Sequence, residues 1–241
     1  MIQRRKATMN EAQWLPGTSP VGMLQSLRGK ISDRKLRLFA CACCRRVWDL
    51  LPDDANRNLV VAVENYPEAP SWPKSYDGLQ EWARKYPELD DAMRASSAGE
   101  REWGAWDGNG SYWAVKYLGR GFYKLSPLES ANTVSLKIAL EVRPRSEKNA
   151  EFAAQADLLR DIVGNPYRSE PIDSAWLQWH DGLVGKLARS IYDDRAFDRL
   201  PILGDALEKA GCSDADILHH CRKPGKHVRG CWVVDLLLGK T

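Results

Sequence analysis

Three cysteines, Cys41, Cys43 and Cys44, fall close together in the run Asp33 to Leu51 (DRKLRLFACACCRRVWDLL), and thiols crowded this way are packed, metal-bound or reactive. Cys41 and Cys44, at i and i+3, share one helix face. Far along the chain His227 and Cys231, at i and i+4, share another. Together these four make a Cys3His donor set, which structural zinc takes in tetrahedral geometry. Core packing competes with this reading and is favoured for the thiols, because free cysteine is among the most buried residue types and zinc ligands usually announce themselves as Cys-x-x-Cys on a loop. The cofactor expectation is therefore none, with zinc on Cys41, Cys44, His227 and Cys231 as the alternative.

Histidines 219, 220 and 227 lie near Cys221, which raises a Cys/His nucleophile. His219 and His220 stand where a helix is expected to end, however, and imidazoles there are favoured by the helix dipole and the unpaired carbonyls. The acidic pairs Asp53-Asp54, Asp90-Asp91 and Asp193-Asp194 point about 100° apart on a helix, so they do not converge on one ion. Gly119-Arg120-Gly121 lacks the further glycine and the preceding strand of a phosphate-binding turn. No motif names a reaction, so an enzyme of unknown type stands third, behind two binding readings.

The best nucleic-acid candidate combines the basic helix, through Arg34, Lys35, Arg45 and Arg46, with an aromatic and basic stretch holding Trp113, Lys116, Arg120 and Lys124. There Trp and Tyr would stack on bases while the cations meet phosphate. The charge distribution offers a plainer use for the basic helix. Residues 1–50 hold 10 Lys or Arg against 3 Asp or Glu, whereas residues 51–110 hold 6 against 12, so the two segments attract each other.

These side chains must be positioned by helices. Ser32 or Asp33 caps a helix that carries Leu36, Ala40, Cys43, Val47 and Leu50 on one stripe and Cys41, Cys44 and Trp48 on a second. Shorter helices precede it, around Glu11 to Leu15 and Pro20 to Arg28. Further helices are predicted over Asp54 to Tyr66 and Tyr76 to Tyr86, with the proline-rich 67–75 as a linker or exposed loop. Pro87 to Lys124 is the least legible region; the spacing of Trp103 with Trp106 and of Trp113 with Tyr117 predicts two helices about the Asp107–Gly110 turn. Ser126-Pro127-Leu128-Glu129 is a capping box opening a helix to Val142, and a helix over Ser146 to Val163 stops at Gly164. Helices over Asp181 to Tyr192, Asp198 to Ala210, Ser213 to Cys221 and Arg229 to Leu238 complete the chain.

The stretches DRKLRLFACACCRRVW (Asp33 to Trp48), QADLLRDIVGNPYR (Gln155 to Arg168), ARSIYDDRAFDRLPILGDALEKAGC (Ala188 to Cys212) and HVRGCWVVDLLLGK (His227 to Lys240) resemble an uncharacterised family of paralogous planctomycete proteins. The resemblance covers roughly half the chain and implies a shared helical fold; it brings no activity with it.

The predicted architecture is a mainly α protein: an irregular multi-helix bundle with a helical-repeat-like C-terminal subdomain. An N-terminal helical lobe spans 1–66, a variable aromatic-rich middle 67–150 and the C-terminal helical subdomain 151–241, packed back on the Asp33 helix as one unit. With 44% hydrophobic and 28% charged residues the chain is of ordinary globular composition. It carries no apolar run near the roughly 20 residues that span a bilayer. The expected setting is the cytoplasm, without a membrane partner and with reduced thiols. The expected role is a non-catalytic interaction or accessory module with a protein partner, the alternative being a nucleic-acid-binding accessory protein.

Overall fold

Side-chain caps open the first helices, Ser32 among them as expected from the sequence. The computed structural model describes all residues except 1–8, 72, 74, 99–109, 123–124, 143, 169–171 and 241, and among the described residues there is no strand. Asn10 closes a capping box with Gln13 over α1 (Glu11–Trp14), and Ser19 accepts from Gly22 at the start of α2 (Pro20–Ser26). Ser32 accepts from the Lys35 amide to begin α3 (Asp33–Arg45), and Asp53 does the same for α4 (Asp54–Asn65).

The Asp33 helix is shorter than its periodicity predicts. It ends at Arg45, and the chain tightens into a 3-10 turn over Trp48–Leu50. Pro52 disfavours the helical region for the residue before it, and Leu51 is accordingly extended at φ −70° and ψ 131°.

The least legible region holds α6 (Pro87–Ala98), which follows α5 (Tyr76–Lys85), and α7 (Gly110–Arg120); α7 is the second of the two helices expected about the turn, whereas α6 ends before Trp103. The turn expected at Asp107–Gly110, with Trp103 and Trp106, lies outside the described residues apart from Gly110. The Ser126–Glu129 capping box opens α8 (Pro127–Lys137), whose path to Val142 finishes as a π-helical turn.

Beyond it runs α9 (Lys148–Val163), stopped by Gly164 at φ 71°, a left-handed conformation glycine takes without a Cβ penalty. Then come α10 (Ser174–Asp194), α11 (Leu200–Lys209), α12 (Ala215–Arg222) and α13 (Trp232–Leu237). The helix predicted from Asp181 begins just beyond it: Trp179 to Gly182 leave helical φ and ψ, the last three at positive φ, and a first helix capped by Asp173 precedes this kink within α10.

Helix α3 is the axle of the molecule. Its residues from Leu36 to Cys44 are buried, and it packs against α4, α7, α8 and α9. One core gathers apolar side chains from Trp14 to Ile162, and a second, built by α10 to α13, gathers those from Trp176 to Leu237. The division between cores follows α9, so most of the first helix of the 151–241 segment packs with the N-terminal lobe.

Buried ion pairs join these layers. Arg34, 4% exposed, grips Asp235, 1% exposed, through Nη1 at 2.6 Å and Nη2 at 3.0 Å, linking α3 to α13. Arg46 forks onto Glu151 of α9 with two contacts of 2.8 Å. Arg45 forks onto Glu64 of α4, which also receives Arg195. Arg34 further meets Glu68, so the basic and acidic segments of the sequence do attract each other.

Candidate metal centre

At the seam between the two cores, four potential donor atoms lie within 4.8 Å of one another: they belong to Asp161, His220, His227 and Cys231. Each arrives on a different piece of local structure. Asp161 sits in the last turn of α9 and His220 on α12. His227 lies in the loop that follows α12, and Cys231 is the N-cap of α13. Gly230, at φ +98°, makes the turn that delivers Cys231; a Cβ there would stand 2.9 Å from Leu38 Cδ1 of α3.

The atoms converge on a point. His220 Nε2 is 3.1 Å from Cys231 Sγ and 3.3 Å from Asp161 Oδ1, and His227 Nδ1 is 2.5 Å from that same Oδ1. The second carboxylate oxygen, Oδ2, accepts from the Val228 amide at 2.9 Å, which fixes the direction in which Oδ1 points. The four side chains are nearly enclosed, and a cavity of about 250 Å³, walled in part by Arg46, Lys223 and Lys226, reaches Asp161, His220 and His227 from outside.

This geometry separates metal binding from thiol catalysis. A Cys-His-Asp triad uses opposite ring nitrogens, one toward the thiol and the other toward the orienting carboxylate. Here a single nitrogen of His220 faces both Sγ and Oδ1. Donors at roughly 2.0 to 2.3 Å from a tetrahedral zinc ion stand roughly 3.3 to 3.6 Å apart, so an ion would open the His227–Asp161 contact by about 1 Å and draw in the donors that now stand as far as 4.8 Å apart.

Burial and mutual contacts set the charge states of the four groups. Burial pushes the Cys231 thiol up, and the Asp161 carboxylate pushes it the same way; the Val234 and Val233 amides at the start of α13 pull it down without reversing the shift. Left to itself this is a protonated, unreactive thiol, whereas a cation beside it stabilises the thiolate. Burial also raises Asp161, but hydrogen bonds to His220 and His227 outweigh it and leave the carboxyl below its usual range. Burial lowers His220, keeping it neutral as a ligand requires. Burial acts downward on His227 too, and there the Asp161 contact wins and raises it.

Half of the sequence-predicted zinc set meets. His227 and Cys231 come together, but their companions are Asp161 and His220 in place of Cys41 and Cys44. The Cys41 thiol points to the Val60 carbonyl at 3.8 Å, and both α3 thiols are buried in the first core. Burial raises both, Cys44 to about 12. The Cys221 thiol is likewise held up to about 12 by burial and packs against Gly204 in the second core, away from a nucleophile's role.

His220 was within reach of sequence reasoning, since His220, His227 and Cys231 fall within twelve residues. Asp161 carried no such signal.

The nucleic-acid candidates are dispersed. Arg34, Arg45 and Arg46 are spent on Asp235, Glu64 and Glu151. Lys116 is buried on the Ser96 carbonyl, and Arg120 lies over the Tyr117 ring. Lys35 is enclosed on the Ile162 carbonyl at 2.6 Å. Lys124 and the Trp113 side chain lie outside the described residues. No family model, curated protein or solved structure matches this chain.

Proposed function

We propose that this protein is a non-catalytic helical accessory module whose two cores are tied together by one zinc ion on Asp161, His220, His227 and Cys231. The convergence of those four donors carries the reading. One thiolate, two imidazoles and one carboxylate are a donor set of borderline softness, which suits zinc better than magnesium or calcium, and four protein ligands complete a tetrahedron as structural sites do. Such an ion clamps the end of α9 to the α12–α13 loop, joining segments 59 to 70 residues apart, and its binding free energy then becomes folding free energy.

The reading extends to partners. Three of the four basic candidates on α3 are satisfied by internal carboxylates, which favours a protein partner over nucleic acid. No helix among the described residues is long and apolar enough to cross a membrane. All six cysteines are free and buried, an arrangement suited to a reducing cytoplasm.

Elemental analysis of protein purified without a histidine tag or added metal tests the centre. About one zinc per chain is expected, lost in Cys231→Ser and His220→Gln and retained in Cys41→Ser. Protein that stays folded yet takes up no zinc after exposure to it overturns the assignment. A pull-down analysed for both protein and nucleic acid tests the partner, and RNA or DNA recovered in place of protein refutes that part.

A further inference from the structure

Beside the metal centre, on the other side of Trp232, lies a second cavity of about 390 Å³, a volume within the usual range for small-molecule sites. It is built by the α2–α3 connection, the first turn of α3, the α9–α10 loop and α13. Its charge is one-sided: Lys30, Lys35, Arg168 and Lys240 line it against a single carboxylate, Asp216.

The cations differ in what they have left to offer. Arg168 is occupied by Glu11 and Asp216, each at 2.7 Å, and Lys240 lies 3.9 Å from Glu68 and over the Tyr192 ring. Lys30 has no carboxylate within ion-pair distance among the described residues; its ammonium is 5.4 Å from the Tyr167 ring centroid. Lys35 gives one hydrogen bond to the Ile162 carbonyl, and its nearest carboxylate oxygen, Asp235 Oδ2 at 3.9 Å, is already held by Arg34 at 2.6 Å. Two N–H donors of an enclosed ammonium therefore remain.

Between these lysines in sequence stands Ser32, which also lines the cavity. Its oxygen accepts from the Lys35 amide as the cap of α3, leaving the hydroxyl proton to donate. The positive end of the thirteen-residue α3 points the same way. Asp33, the one acidic residue in this stretch, is exposed and is not part of the lining.

Apart from Asn165, the remaining wall is apolar. Ile31, Val163 and Leu236 contribute to it, and the Trp232 indole is held rigid between Gly164, where a Cβ would come within 3.0 Å of the ring, and the His220 imidazole at 5.2 Å. A fixed aromatic face with two underused ammonium groups and a hydroxyl beside it is the complement of a planar apolar body bearing an anionic head.

We propose that this cavity binds a small aromatic anion, with the head group on Lys30, Lys35 and the Ser32 hydroxyl and the ring against Trp232. The site shares a wall with the proposed metal centre, since Trp232 follows Cys231 in the chain and its ring packs on His220, and the protein is therefore tested with whatever metal it carries. Carboxylate and phosphate heads share this chemistry, and the experiment separates them.

Calorimetric titration of the full chain, as purified, with indole-3-acetate, adenosine monophosphate, acetate and inorganic phosphate provides the test. One aromatic anion is expected to saturate a single site at least tenfold more tightly than the corresponding bare anion, and which of them does so identifies the head group. Lys30→Met, a substitution outside the core, should weaken that binding at least tenfold with an unchanged melting temperature, and Lys35→Met should weaken it as much while lowering the melting temperature, because the Ile162 carbonyl loses its donor. Lys226→Met, at the other cavity, should leave it unaltered. Absence of saturation by both aromatic anions up to about 5 mM, a concentration corresponding to about 3 kcal/mol of binding, overturns the proposal. Undiminished binding in both Lys30→Met and Lys35→Met overturns it equally.

Discussion

Replacing Asp235 with asparagine tests the account of how the two cores are joined. In the native protein the carboxylate receives two hydrogen bonds from Arg34, at 2.6 and 3.0 Å, in a site where the side chains are 1% and 4% exposed. Asparagine keeps the shape but offers one oxygen and one NH2, so one guanidinium N–H meets another donor and the buried cation loses its charge partner. Removing one member of such a pair costs about 3–5 kcal/mol. Glu68 still reaches Arg34 Nε at 2.8 Å from a half-exposed position, which places the expectation at about 3 kcal/mol. At about 2–4 °C per kcal/mol for a chain of this size, the melting temperature should fall by about 6–12 °C.

Chemical denaturation monitored by circular dichroism measures the change, with the slope against denaturant expected to hold. The double variant Arg34→Met with Asp235→Leu removes both charges and should recover at least half of the loss, since apolar replacements of buried pairs are often neutral or better. A loss below about 1 kcal/mol in Asp235→Asn, or a double variant no more stable than the single one, refutes the reasoning.

Leu36→Ala, at a site 5% exposed on α3, should destabilise by about 2–5 kcal/mol in the same assay; an unchanged denaturation midpoint would contradict its burial. Gly230→Ala should cost more than about 1 kcal/mol and reduce zinc content, because the position has φ +98° and no room beside Leu38; wild-type stability and metal content would show that the turn does not position Cys231. Ellman's reagent should find none of the six thiols in the native protein and all six after unfolding in the presence of a chelator, and a native thiol that reacts at once would contradict the packing. Burial holds Cys44 and Cys221 up to about 12 against an ordinary 9, so their contribution is complete below pH 9 and is lost as pH rises from there toward 12. Stability measured across that window should therefore decline, and a rise would refute the assignment.

The sequence alone determined the elements, because caps, stops and stripes act over one or two turns. Ser32 and the Ser126–Glu129 box each open the helix expected of them, and Gly164 ends α9. It also determined that the stripe through Leu36, Ala40 and Cys43 is core, since it repeats at helical spacing; that Leu38, Phe39 and Ala42 are buried as well was decided by the helices that surround α3. Tertiary structure alone decided which donors meet. Cys41 and Cys44 offer the same local spacing as any ligand pair, yet α4, α8 and α9 close over them, while α9 brings Asp161 to His220 across fifty-nine residues. Spacing along a helix fixes direction from one axis, whereas a metal site requires directions from several axes to cross at one point. The fate of the α3 arginines was settled in the same way. A guanidinium reads as a free cation until a neighbouring helix supplies its carboxylate, and Glu64, Glu151 and Asp235 are supplied by α4, α9 and α13, whose approach is set by packing and not by any residue adjacent in the chain.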